Sequence, residues 1–107
     1  MSGPLGDMGS LLKQAQLMQR ELDKVKEELA SRQIEGSAGG RAVVITLTGS
    51  REVISVEVSE ELAKDGNQAT IQEMVLVALR DAMAQVESIS TEEMGKVTGG
   101  LNLPGLM

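Results

Sequence analysis

The chain has 107 residues, 41% of them hydrophobic, which is room for one globular domain with a single core. With no Phe, Tyr, Trp, Cys or His, it has no ring to stack on a base, no disulfide, no zinc site of the usual kind, no thiol nucleophile and no imidazole base. Ten Lys plus Arg against sixteen Asp plus Glu give a net charge of -6, a balance that disfavours a nucleic-acid partner on composition but is compatible with a local basic patch.

Residues 1–9 contain Gly3, Pro4, Gly6 and Gly9 and are expected to be a flexible N-terminal segment. They carry no basic segment followed by an apolar run, and no stretch of the chain approaches the roughly 18 apolar residues of a membrane span. A cytoplasmic protein is expected. From Leu11 the pattern becomes helical: Leu11, Ala15, Met18, Leu22, Val25 and Leu29 recur at alternating spacings of four and three, the a/d repeat of a coiled-coil seam, with Ser10 as N-cap. Such a seam suits a helix lying on its own sheet, or one that meets another helix from this chain or a second copy. The regular alternation favours the second, and a dimer. On the opposite side of this helix, Lys13, Arg20 and Lys24 fall within roughly 40° of one another and span about 16 Å along the axis. They form the one basic stripe in an acidic chain, with Asp23, Glu27 and Glu28 close by.

Residues 33–38 alternate weakly and end at Gly39-Gly40, a short edge strand before a tight turn. Val43, Ile45 and Leu47 then alternate with Val44, Thr46 and Thr48, and Ile54, Val56 and Val58 with Ser55, Glu57 and Ser59, across the polar loop Gly49–Glu52. This is a β-hairpin in which each strand has one face to bury, and only the flanking helices can cover it. Residues 59–64 read as one helical turn broken at Asp65-Gly66-Asn67. The carboxylates of Glu60, Glu61 and Asp65 fit no EF-hand spacing and are read as solvated.

Thr70-Ile71-Gln72-Glu73 has the form of a capping box opening a long helix. Its stripe of Ile71, Val75, Ala78, Ala82, Val86 and Ile89 is widened by Met74, Leu76, Leu79 and Met83, so the helix is expected to bury two sides, one on the hairpin and one at a subunit interface. Met18, Leu22 and Val25 on the first helix and Leu76, Leu79 and Met83 on the second are the candidate dimer contacts. Residues 10–97 thus make one domain of long helix, antiparallel sheet and long helix, and residues 98–107 a flexible, Gly-rich, apolar tail.

Three blocks carry a resemblance. Met8-Gly9-Ser10-Leu11-Leu12-Lys13-Gln14-Ala15-Gln16-Leu17-Met18-Gln19 resembles the opening motif of the YbaB/EbfC family of bacterial nucleoid-associated proteins. The Gly-Gly hairpin with Gly49 and Glu52-Val53-Ile54-Ser55-Val56 resembles its central sheet. Met94-Gly95-Lys96-Val97-Thr98-Gly99-Gly100-Leu101-Asn102-Leu103-Pro104-Gly105 resembles its C-terminal signature. The resemblance implies an α+β fold of order αβββα with a three-stranded antiparallel sheet, a homodimer, and double-stranded DNA as partner in nucleoid organisation or gene regulation. The family's helical ends are thought to face DNA, and Lys13 and Lys96 lie in matched motifs. Ser59-Glu60 stands where the family commonly has Asp-Pro, which should alter the start of the next turn and little else. Gln14, Gln16 and Gln19 are the residues able to reach a base edge if the first helix entered the major groove.

Two rival functions stand beside DNA binding. A non-enzymatic interaction module would use the a/d seam and the apolar tail to hold a protein partner. An enzyme would need a pocket-forming carboxylate pair or a phosphate-cradling loop, and the sequence has neither motif, so no catalytic residue, cofactor, metal or small-molecule substrate is assigned.

Overall fold

The computed structural model describes the backbone of residues 4–99 and the side chains of residues 8–98. Helix α1 (Pro4–Ser31) leads into strands β1 (Gln33–Ala38), β2 (Val43–Thr48) and β3 (Val53–Val58), a short α2 (Glu60–Asp65) and the long α3 (Gln68–Gly99). The expected αβββα order is present, with α2 as its single extra turn. Three helix boundaries differ from expectation. Pro4 takes the first helical position of α1, where a missing N–H costs nothing, so the helix runs through residues 4–9 and Ser10 is internal rather than a cap. At the start of α3 the cap is Asn67, whose side-chain oxygen accepts the Thr70 N–H at 2.8 Å; Thr70 lies inside the helix and the capping-box reading fails. The same helix continues through Gly95 to Gly99, taking in Thr98 and Gly99 of the expected tail; residues 1–3 and 100–107 lie outside the described residues.

The strands pair antiparallel in the order β1-β2-β3. Gln33 stands opposite Thr48 and Ala38 opposite Val43, while Val43 faces Val58 across the second ladder. That ladder slips after Thr46↔Ser55, because Leu47 next pairs with Val53 and Ile54 is left over as a bulge. The β1–β2 turn uses Gly39 and Gly40, both at φ 62°, and the β2–β3 turn is gathered on Thr48, whose hydroxyl accepts the N–H groups of Ser50 (3.2 Å) and Glu52 (3.1 Å).

Ile34, Val43, Ile45 and Leu47 from the sheet meet Ala78, Ala82 and Val86 of α3 to form the core. The helix lies unusually close to β1, because Gly36 has no side chain and Ala78 and Ala82 have short ones. A Cβ at Gly36 would stand 2.5 Å from the Ala78 carbonyl oxygen and 2.6 Å from the Ala82 Cα. Backbone, not a yielding side chain, fills that space.

The strands do not each bury one face. β2 is buried along its whole length, on both faces, whereas Val53, Ile54, Val56 and Val58 of β3 are all exposed, at 38–51%. The reason is width: three strands about 4.8 Å apart present more breadth than one helix about 10 Å across can cover. α3 lies across β1 and β2, and β3 is left outside its cover.

Helix α1 is fastened at its C-terminal end. Leu29 is buried, its carbonyl oxygen accepts the N–H groups of Arg32 (3.1 Å) and Gly49 (2.8 Å), and the Gly49 N–H also donates to the Arg32 carbonyl oxygen (3.1 Å), which ties the β2–β3 turn to the helix end. From there α1 runs back antiparallel to α3, so that Val25 and Leu29 share a groove with Glu93, and Leu17 and Met18, within the Met8–Gln19 block, share one with Val97.

The Gly36 contact yields a stability prediction. Gly36→Val forces helix and sheet apart and should cost at least about 3 kcal/mol in urea unfolding followed by circular dichroism. Gly95→Ala, in a helix with nothing within 4 Å of the new methyl group, should instead gain about 0.5–1 kcal/mol.

Candidate nucleic-acid interface

The a/d seam on α1 has a partner inside the chain. Met18, Leu22 and Val25 are half-buried and Leu29 fully buried on the side facing α3. With that side occupied, helical geometry turns the opposite side outward. Lys13, Arg20 and Lys24 are all exposed, and among the described residues none of the three forms an ion pair. The neighbouring carboxylate of Asp23 accepts the Gln19 amide at 3.0 Å, beside the stripe rather than on it.

Lys96 is placed differently. It lies on α3 next to Val97, alongside the Gln14–Glu21 stretch of α1, and its ammonium is 3.2 Å from Glu93. With the lysine 64% exposed, this is a solvent-screened pair of small worth, open to exchange for another anion. Thus α1 brings three of the four candidate cations onto one face, and the antiparallel pairing with α3 brings the fourth to the same end of the molecule. Of the three glutamines, Gln19 is engaged by Asp23, Gln14 lines the groove beside Val97, and Gln16 shares a shallow depression of about 500 Å³ with Lys13.

The apolar candidates divide. Leu79 and Met83 are half-buried against the chain's own core, while Leu76 is 45% exposed. The larger uncovered apolar surface is Val53, Ile54, Val56 and Val58 on the edge strand β3, of which alternation assigns the last three to the interior. The width of a three-stranded sheet against a single covering helix was the signal for it.

The site is thus a long helix pair with a cationic face, rooted in a small sheet with an uncovered apolar edge. The match to the model of the YbaB/EbfC DNA-binding family covers residues 5–101. The chain belongs to this family. It is 38% identical over 104 residues to a nucleoid-associated protein of Alkaliphilus metalliredigens, an alignment covering 97% of this chain and 91% of that one. It is 39% identical over 101 residues to a nucleoid-associated protein of Desulforamulus reducens, covering 94% and 96%. The crystal structure of an uncharacterized protein from Helicobacter pylori has the same fold, with a TM-score of 0.70 at 20% identity over 91% of this chain and 99% of that one.

The block that resembles the family's opening motif lies in the N-terminal part of α1, and the block that resembles its central sheet lies in the β2–β3 hairpin. At the departure from the family pattern, Ser59 caps α2, its hydroxyl accepting the Leu62 N–H at 3.2 Å, and Glu60 and Glu61 lie in the first turn where the helix dipole favours them. The fold is preserved there by a different cap. Among the described residues no helix is long and apolar enough to cross a membrane.

The Lys96–Glu93 pair gives a local test. Glu93→Gln should shift stability by no more than about 0.5 kcal/mol in urea unfolding; a larger loss would mean that this carboxylate helps to hold α1 against α3.

Proposed function

We propose that this protein is a homodimer that binds double-stranded DNA through its phosphate backbone, with a part in nucleoid organisation or gene regulation, at the nucleoid and in the cytoplasm. The observation that carries the reading is the exposed row of Lys13, Arg20 and Lys24, turned away from α3 and free of ion pairs among the described residues. Membership of a DNA-binding family and the names of the nucleoid-associated relatives support it. Cations spaced along about 16 Å of helix can follow successive phosphates, and binding is then driven by release of condensed counterions. Such contacts position a protein on a duplex and carry little sequence information.

The second copy is called for by β3. An edge strand that exposes four large apolar residues and a row of unpaired backbone groups is a surface that monomeric proteins avoid. A partner protomer laid over β3 would remove that surface and give the dimer two cationic rows. The competing reading, capture of a protein partner on the a/d seam, has less room, because Met18, Leu22, Val25 and Leu29 already face α3.

Titration of a labelled mixed-sequence duplex at several salt concentrations tests the DNA reading. The parent should bind with a steep salt dependence, and the Lys13→Gln/Arg20→Gln/Lys24→Gln variant should lower the slope of log K against log salt by up to about 3 per protomer and bind weakly throughout. Binding that survives the triple change would leave DNA as partner and overturn these residues. For the dimer, Val56→Asp should halve the mass measured by sedimentation equilibrium at micromolar concentration and, by separating the two rows, weaken duplex binding as well. An unchanged mass would move the interface elsewhere.

A further inference from the structure

The β2–β3 turn carries an arginine where its backbone calls for glycine. The Arg51 N–H donates to the Thr48 carbonyl oxygen at 3.0 Å and the Thr48 N–H to the Glu52 carbonyl oxygen at 2.8 Å, a short hairpin loop that closes with one residue in the left-handed region. Arg51 is that residue, at φ 68°. Glycine ordinarily fills such a position, because a Cβ there is crowded by its own backbone. The turn does contain a glycine, but Gly49 serves the approach to α1: a Cβ on it would stand 2.7 Å from the Leu29 carbonyl carbon. Among the described residues the exposed Arg51 guanidinium forms no ion pair that would offset the backbone conformation. The other non-glycine residue in this region, Arg41 at φ 73°, differs in that its guanidinium lies 3.3 Å from Glu35. Backbone strain without a compensating contact points to a function for the side chain that bears it.

We infer that Arg51 is a further phosphate-binding residue, which carries the duplex contact of Lys13, Arg20 and Lys24 past the root of α1 onto the β2–β3 turn. The inference rests on the DNA reading. Placement supports it: the hydrogen bonds from Gly49 to Leu29 and Arg32 tie the turn to the end of α1, about 7.5 Å along the axis beyond Lys24. From Lys13 to the level of Leu29 is about 24 Å of helix, so Arg51 lengthens the cationic row by about half. Rigidity supports it too. The Thr48 hydroxyl accepts the N–H groups of Ser50 and Glu52 and lies 2.8 Å from the Ser50 hydroxyl, so the turn is already ordered before a ligand arrives. A planar guanidinium held there can bond two phosphate oxygens at once.

Arg51→Gly in the full-length protein separates backbone from charge. Its urea unfolding midpoint should be unchanged or higher, since glycine accepts the left-handed conformation. In titrations of mixed-sequence duplex, the slope of log K against log salt should fall by about 1 per protomer, and binding should weaken alike on duplexes of unrelated sequence. Arg51→Lys, with the charge kept on the same backbone, should retain the slope. Arg41→Gly is the matched control: it relieves the same conformation but removes a guanidinium already paired with Glu35, and should leave the slope as it is. An unchanged slope in Arg51→Gly, beside a lowered one in the Lys13/Arg20/Lys24 triple variant, would keep the DNA reading and overturn this inference alone. Weaker binding together with a halved mass in sedimentation equilibrium would assign the guanidinium to the contact between copies and overturn it. A lowered unfolding midpoint would do the same by assigning it to the fold. A parent protein that binds no duplex at any salt would remove the DNA reading and this inference with it.

Discussion

The contact on which the rest of this structure depends is the approach of α3 to β1 at Gly36. Helix and strand touch there through backbone, with Ala78 and Ala82 on one side and no side chain on the other. That closeness brings Val86 down among Ile34, Ile45 and Leu47, completing a core that contains no aromatic ring and must be filled by small and branched residues. It also fixes where α3 sits laterally. A helix seated in the groove over Gly36 is centred on the β1 side of the sheet, and β3 falls beyond its edge.

A second consequence is the overhang. A six-residue strand is about 20 Å long, and the 32 residues of α3 extend about 48 Å, so much of the helix has no sheet beneath it. α1 supplies the missing surface by running back along α3 from its anchor at Gly49. The result is elongated, 77 × 26 × 16 Å, with a radius of gyration of 21.0 Å where a compact chain of about 100 residues would have about 13 Å. An arm made of two helices can bury only one face of each. On α1 the buried face is the a/d seam, and the face left over is the cationic one.

How far the sequence revealed this depended on whether a feature was local. The 4-3 spacing of Leu11 to Leu29 made α1 and its seam legible, and alternation about Gly49 made the hairpin legible, since both are written within twenty residues. What the seam packs on was not legible: any antiparallel helix would satisfy it, and only the tertiary path selects the chain's own α3. Gly36 read as part of a weak edge strand, because its meaning lies in Ala78 and Ala82, more than forty residues away. Ile54, Val56 and Val58 of β3 read as interior for the same reason: alternation reports that a face is apolar and says nothing of what covers it. The basic stripe was legible as geometry. Its freedom from ion pairs among the described residues required the structure.

The stripe also bears on why an acidic chain is a reasonable partner for a polyanion. Net charge governs attraction at long range, but at an ionic strength of about 0.1 M the field of a charge fades over about 10 Å. A phosphate approaching the outer face of α1 therefore senses Lys13, Arg20 and Lys24 more strongly than carboxylates on the body of the sheet. The charges that matter most are those within a Debye length of the face, among them Asp23, which is tied to Gln19 beside the stripe, and the exposed Glu27 and Glu28. The seam and the stripe are in this sense one device. Because α3 holds the seam, α1 cannot rotate, and the cations stay on the side of the arm that faces away from the rest of the protein.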